Sequence, residues 1–102
     1  MMDDFNIERI DDVIHGRLRL GVMAYLSTAG SADFTTLKQK TQSSDGNLSV
    51  QLRKLEEAGY VEISKAFVGK KPQTTVILTE TGRAAFVAYL EAMRKLIDET
   101  SG

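Results

Sequence analysis

The chain has 102 residues, 42% hydrophobic and 26% charged, with 13 Lys/Arg against 14 Asp/Glu, one histidine and no cysteine. That composition suits one globular domain and not a disordered tail. The lack of cysteine excludes a disulfide framework, a zinc ribbon and a thiol switch, and no apolar run nears the roughly 20 residues that cross a bilayer. The opening run MMDDFNIERIDD is acidic where a secretory signal would be basic and then apolar. A cytoplasmic protein without a membrane partner is expected. The net charge is −1, but residues 31–79 carry seven basic against five acidic groups, whereas residues 80–102 carry three against four and residues 1–30 three against five. The middle of the chain is its cationic part.

From about residue 4 to 14, Ile7, Ile10, Val13 and Ile14 share one side of an expected helix, which His15-Gly16 interrupts. Leu18, Val22, Tyr25 and Leu26 predict a second helix from Arg17 to about Ser27. Ala32-Asp33-Phe34 is long enough for one extended rung. Thr35 or Thr36 can cap a short helix through about Thr41, and the polar turn Thr41–Gly46 leads to a helix over 44–58, capped by Ser43 or Ser44 and stopped at Gly59. The period then becomes two: Tyr60–Val68 and Thr74–Leu78 read as strands about a polar turn, Gly69–Gln73. Thr79 caps a last helix from about Glu80 to Asp98.

This order makes a single domain over 1–102, α+β but mainly α. It is a helix-turn-helix with a two-stranded wing, a short third strand and N- and C-terminal helices. The core falls at about 13–80.

At 100° per residue, Leu48, Leu52 and Leu55 form the buried stripe of the fourth helix. The opposite side presents Gly46, Asn47, Ser49, Val50, Arg53 and Lys54, and Glu56 and Glu57 lie at its far end. Asparagine can read adenine, arginine can read guanine, valine can meet a thymine methyl, and Ser and Lys can hold phosphates. Gly46 removes a side chain where backbone could approach phosphate. Lys65, Lys70, Lys71 and Gln73 cluster on the hairpin, as a phosphate or minor-groove contact requires.

Ile14-His15-Gly16-Arg17-Leu18-Arg19-Leu20, Phe34-Thr35-Thr36-Leu37, the run from Asp45 to Val61 and Leu78-Thr79-Glu80-Thr81-Gly82-Arg83 carry a further signal. Together they resemble the compact winged-helix DNA-binding domain of small bacterial and archaeal regulators of the MarR/ArsR-like kind. The likeness spans roughly residues 13–95. It implies a sequence-specific transcriptional regulator, usually a homodimer, with the helix from Ser44 in the major groove. Carried onto this chain, it gives Asn47, Ser49, Val50 and Arg53 as base readers. Its phosphate contacts are Thr35, Thr36, Ser44, Lys54, Lys70 and Lys71. It also sets His15 before the second helix and gives Arg19 an intramolecular salt bridge.

The reading face holds few cations, so one copy should bind weakly, and a dimer would double the contacts. The terminal helices, about 4–14 and 80–98, can supply one. Phe86, Leu90, Met93 and Ile97 make an apolar band wider than the core needs, and with Phe5, Ile7 and Ile10 it could close a two-fold interface.

One histidine without cysteine makes no metal site, and no phosphate loop or catalytic triad can be assembled, so neither a cofactor nor an enzyme is expected. The chain leaves open whether a small effector binds. The expected function is specific double-stranded DNA binding by a dimeric regulator, a repressor in the first instance. The competing reading is a winged-helix protein-interaction module without specific DNA binding.

Overall fold

In a computed structural model of the protein, residues 6–101 are described. A 3-10 turn at Ile7–Arg9 precedes α1 (Arg17–Ala29), β1 (Ser31–Asp33), α2 (Phe34–Thr41), α3 (Asp45–Glu57), β2 (Val61–Val68), β3 (Lys71–Leu78) and α4 (Glu80–Ser101). The three strands form one antiparallel sheet in the order β1-β3-β2. β1 meets β3 only at residues 75–77, whereas β2 and β3 pair from Val61↔Leu78 to Val68↔Lys71. The outer end of the hairpin therefore projects beyond the third strand as a wing.

Its turn is two residues, Gly69-Lys70, with Gly69 at φ 67. The type II′ hairpin turn places a positive φ at this first central position, where glycine has no Cβ to clash. The five-residue turn expected over 69–73 is thus too long. Pro72 belongs to β3, opposite Phe67. It sits one rung beyond the closing pair and outside the reach of β1, where a missing N–H breaks no ladder bond.

The N-terminal helix expected over 4–14 is also corrected. Asp11 turns its carboxylate onto the amides of Val13 and Ile14 at 2.8 and 3.2 Å, which diverts the backbone into a turn. Ile10 and Ile14 still reach the core, so their helix-like spacing reflects two separate insertions. Phe5 lies outside the described residues.

α1 buries Val22, Met23 and Leu26, α2 buries Leu37, and α3 buries Leu48, Leu52 and Leu55 beneath Val61 and Val76 of the sheet. Each leucine contributes about 2 kcal/mol through the apolar surface it removes from water. The helix ends are fixed by polar groups. Asp33, and neither Thr35 nor Thr36, caps α2 by accepting from the Thr36 amide at 2.6 Å. That bond holds the Asp33 carboxyl below its ordinary range. Ser44 caps α3. At the other end of α3, Gly59 at φ 81 and Tyr60 donate to the carbonyls of Glu56 and Leu55 at 2.9 and 3.0 Å. This 6→1, 5→2 pair is the Schellman arrangement.

Burial, reinforced by the hydrogen bond it donates to Asp11, pushes the Tyr60 hydroxyl up to about 12. Its unfolded value lies near 10. Folding therefore favours the protonated phenol, and the resulting stability is complete below pH 10 and is lost as pH rises through 12. Between these limits, chemical denaturation should show native stability falling more steeply than that of Tyr60→Phe. Parallel curves would refute the coupling.

Candidate nucleic-acid interface

α2 and α3 are joined by the turn Gln42–Ser44, in which Gln42 adopts a left-handed φ of 54 and closes the end of α2. Lys38 pairs with Asp45 across the turn at 2.8 Å. Both groups are largely exposed, so the pair adds little stability. It does neutralise the carboxylate at the head of α3, where a phosphate would otherwise be repelled. Because Leu48, Leu52 and Leu55 are buried, the opposite face of α3 stands in solvent. Asn47, Ser49, Val50, Arg53 and Lys54 are all exposed, and Arg53 makes no hydrogen bond or ion pair among the described residues. A Cβ built on Gly46 meets nothing within 4 Å, so the first turn of α3 is open to close approach.

The exposed face has two flanks. On one, Ser49 and Arg53 border a cleft whose far wall is the wing, with Lys65 and Thr74. Asp45 and Glu56 also line it; acid at the far end of this helix is expected from the sequence to face away from a duplex, but Glu56 shares the flank of Ser49 and Arg53. On the other flank, Asn47 accepts a hydrogen bond from Gln51 at 3.2 Å. Gln51 accepts in turn from Arg19, which also donates to the carbonyls of Val13 and, at 3.4 Å, Asp12. The salt bridge expected of Arg19 is replaced by these neutral acceptors. Arg19 braces Gln51, and Gln51 holds Asn47. The flank opens onto a groove bordered by Arg17, Arg19 and Lys40 with no carboxylate.

A third cleft, at the free edge of β3, gathers Thr35, Lys71 and Gln73. The phosphate candidates therefore fall into two groups, Lys65 with the reading helix and Thr35 with the wing edge. Lys70 is exposed at the tip, Thr36 is half-buried, and the Ser44 hydroxyl is engaged as the α3 cap. His15 bonds Tyr89 through Nδ1 at 2.8 Å and tethers the start of α1 to α4. Among the described residues no group of three or more His, Cys, Asp or Glu could hold a metal, and no helix is long and apolar enough to cross a membrane.

The sequence reading missed Gln51 and Arg19 as supports of Asn47, along with Arg17 and Lys40. A charge tally cannot show which cations a turn brings beside the reading helix.

The expected interface residues divide. Ile10 and Phe86 are 9% and 6% exposed, packed into the protomer's own core. Met93 is half-buried, and Ile7, Leu90 and Ile97 are 66%, 49% and 58% exposed.

A turn-linked helix pair, with the second helix bared along one face and flanked by a β-hairpin, defines a winged-helix domain. A model of the family described as the winged helix DNA-binding domain matches residues 18–97, and the chain belongs to that family. It is 33% identical over 84 residues to the uncharacterized protein MJ0432 of Methanocaldococcus jannaschii, an overlap of 82% of this chain and 91% of that protein. The structure of a transcriptional regulator homologue from Pyrococcus horikoshii superposes with a TM-score of 0.84 at 26% identity, over 91% of this chain and 93% of that one. The fold is shared with a MarR-family regulator from Silicibacter pomeroyi, with a TM-score of 0.67 and 24% identity over 86% and 58% of the two chains.

Proposed function

We propose that this protein is a sequence-specific double-stranded-DNA-binding transcriptional regulator, acting within the cell as a homodimer that represses by occupying a short inverted repeat. The observation that carries this reading is the α3 face, in which three buried leucines hold Asn47, Ser49, Val50 and Arg53 in solvent on the helix that a winged-helix domain offers to DNA. Arg53 is suited to guanine and Asn47 to adenine. Lys54, Lys65, Lys70, Lys71, Thr35 and Gln73 supply sequence-independent contacts to phosphate. The likeness to the Pyrococcus horikoshii regulator homologue supports the regulatory role.

Self-association is supported by Val87, Leu90 and Ile97, each about half exposed or more along one side of α4. Exposed apolar clusters mark interaction surfaces, and two-fold pairing is the commonest assembly. Phe86, buried one turn before Leu90, supports that seam from beneath, whereas Ile7 and Ile10 line clefts with Ala88, Ala92 and Leu96 on the other side of α4.

Selection from a random duplex pool tests the reading. A salt-dependent shift of duplex DNA and a recovered inverted repeat are expected. Arg53→Ala should lose roughly tenfold in affinity and relax preference at one position per half-site. Changing both Lys70 and Lys71 to alanine should weaken all sequences alike and lower the salt slope by about two per subunit. Retained self-association with no DNA shift at low salt would instead favour a protein-docking module.

A further inference from the structure

Phe67 is the most exposed large apolar side chain among the described residues, at 75%, and its neighbour Val68 is 63% exposed. They occupy the last rungs of the hairpin, opposite Pro72 and Lys71, past the end of β1. No part of the core reaches them. Side chains alternate along a strand, so Phe67 shares a face with Val61, Ile63 and Lys65. Val61 and Ile63 turn that face onto the core, and Lys65 carries it into the cleft with Ser49 and Arg53. Phe67 is its outward continuation, on the side that fronts the reading helix. From Ile63 to Thr79 the chain has Lys65, Lys70 and Lys71 but no carboxylate. Asp33, Asp45 and Glu56 line the clefts at the base of the wing, but an aromatic ring on a projecting segment that itself carries only cations complements the negatively charged groove of a duplex.

We propose that Phe67 is an apolar wedge for DNA. The wing tip enters the minor groove next to the major groove that α3 occupies, Lys70 and Lys71 meet the flanking phosphates, and the ring presses between two base pairs and bends the duplex. The two strands lie about 4.8 Å apart and the minor groove is about 6 Å wide, so the tip alone enters, most readily where a bend has opened the groove. This proposal rests on the DNA-binding reading above and adds to it a specificity that uses no hydrogen bond to a base edge. Pyrimidine–purine steps unstack most easily and would be selected beneath the wing.

The chain contains three tyrosines but no tryptophan, so Phe67→Trp places a single indole at the tip, which can be excited selectively at the red edge. With a duplex recovered by selection, its emission should be quenched several-fold on binding. Phe67→Ala should bind about tenfold more weakly and halve the bend read from end-to-end energy transfer, whereas Phe67→Leu keeps most of both. Melting temperatures should match the native chain, because the tip lies outside the core. The proposal is overturned if Phe67→Ala binds and bends DNA as the native chain does, or if the indole stays water-exposed in the complex. It is equally overturned if Phe67→Ala instead abolishes self-association in sedimentation without DNA, since the ring would then face a second copy. A native chain that shifts no duplex at low salt would fail the DNA reading itself, before any wing variant is compared.

Discussion

Gly82→Ala should destabilise the protein by at least about 3 kcal/mol, the upper range for overpacking. In an exposed helix the same change would stabilise by up to about 1 kcal/mol, through helix propensity. Here a Cβ would lie 2.1 Å from the Tyr60 carbonyl oxygen and 2.8 Å from its carbon, both backbone atoms that cannot swing aside. Tyr60 is fixed by the Schellman turn behind it, and its carbonyl accepts from the Thr79 amide at 3.1 Å. Thr79 in turn donates to the Gly59 carbonyl at 2.6 Å and caps Gly82 at 2.9 Å. The clash therefore wins over propensity. A fall of roughly 12–20 °C in melting temperature is expected for a domain of this size, and an unchanged midpoint would show that α4 can retreat from Tyr60.

Leu90→Glu should turn a dimer into monomers and reduce affinity for a duplex carrying two half-sites by roughly a hundredfold, because the second contact would no longer be intramolecular. Binding to a single half-site should barely change. The protomer itself should stay folded, since Leu90 is 49% exposed. One turn earlier, Phe86→Glu should unfold the chain instead, because that ring is buried and stacked 6.4 Å from Tyr89. Sedimentation with circular dichroism separates the two outcomes. If Leu90→Glu sedimented and bound a two-site duplex like the native chain, the α4 seam would not be the pairing surface.

Local periodicity made much of this fold legible in the sequence. The leucine stripe of α3, the Gly59 stop, the Thr79 cap and the wing all follow from spacing and turn chemistry acting over a few residues. Long-range effects escaped it. Ile10 and Ile14 mimic a helix because they fill the same core from either side of the Asp11 turn. Asp33 outcompetes Thr35 and Thr36 as a cap because β1 ends one residue before α2 starts. Phe86 and Leu90 look equivalent on a helical wheel, yet only Phe86 is buried in the core. The exposed candidates on α3 were readable because a buried stripe defines its complement. The Arg19–Gln51–Asn47 chain was not, since it spans 32 residues from Arg19 to Gln51.

The reading helix ends, the wing begins and α4 sets out within a single corner, where Gly59, Tyr60, Thr79 and Gly82 interlock through backbone contacts. No slack linker separates α3 from α4. α4 extends about 33 Å from that corner, so in a pair of such chains a tilt of a few degrees at the far end would swing each reading helix by a few ångströms. Were two such chains paired through α4 and bound to a duplex, they would act as a fixed-jaw caliper: the spacing of the two α3 helices would be set by how the long helices seat against each other, and sites with an added or missing base pair between their halves would fall outside that gauge.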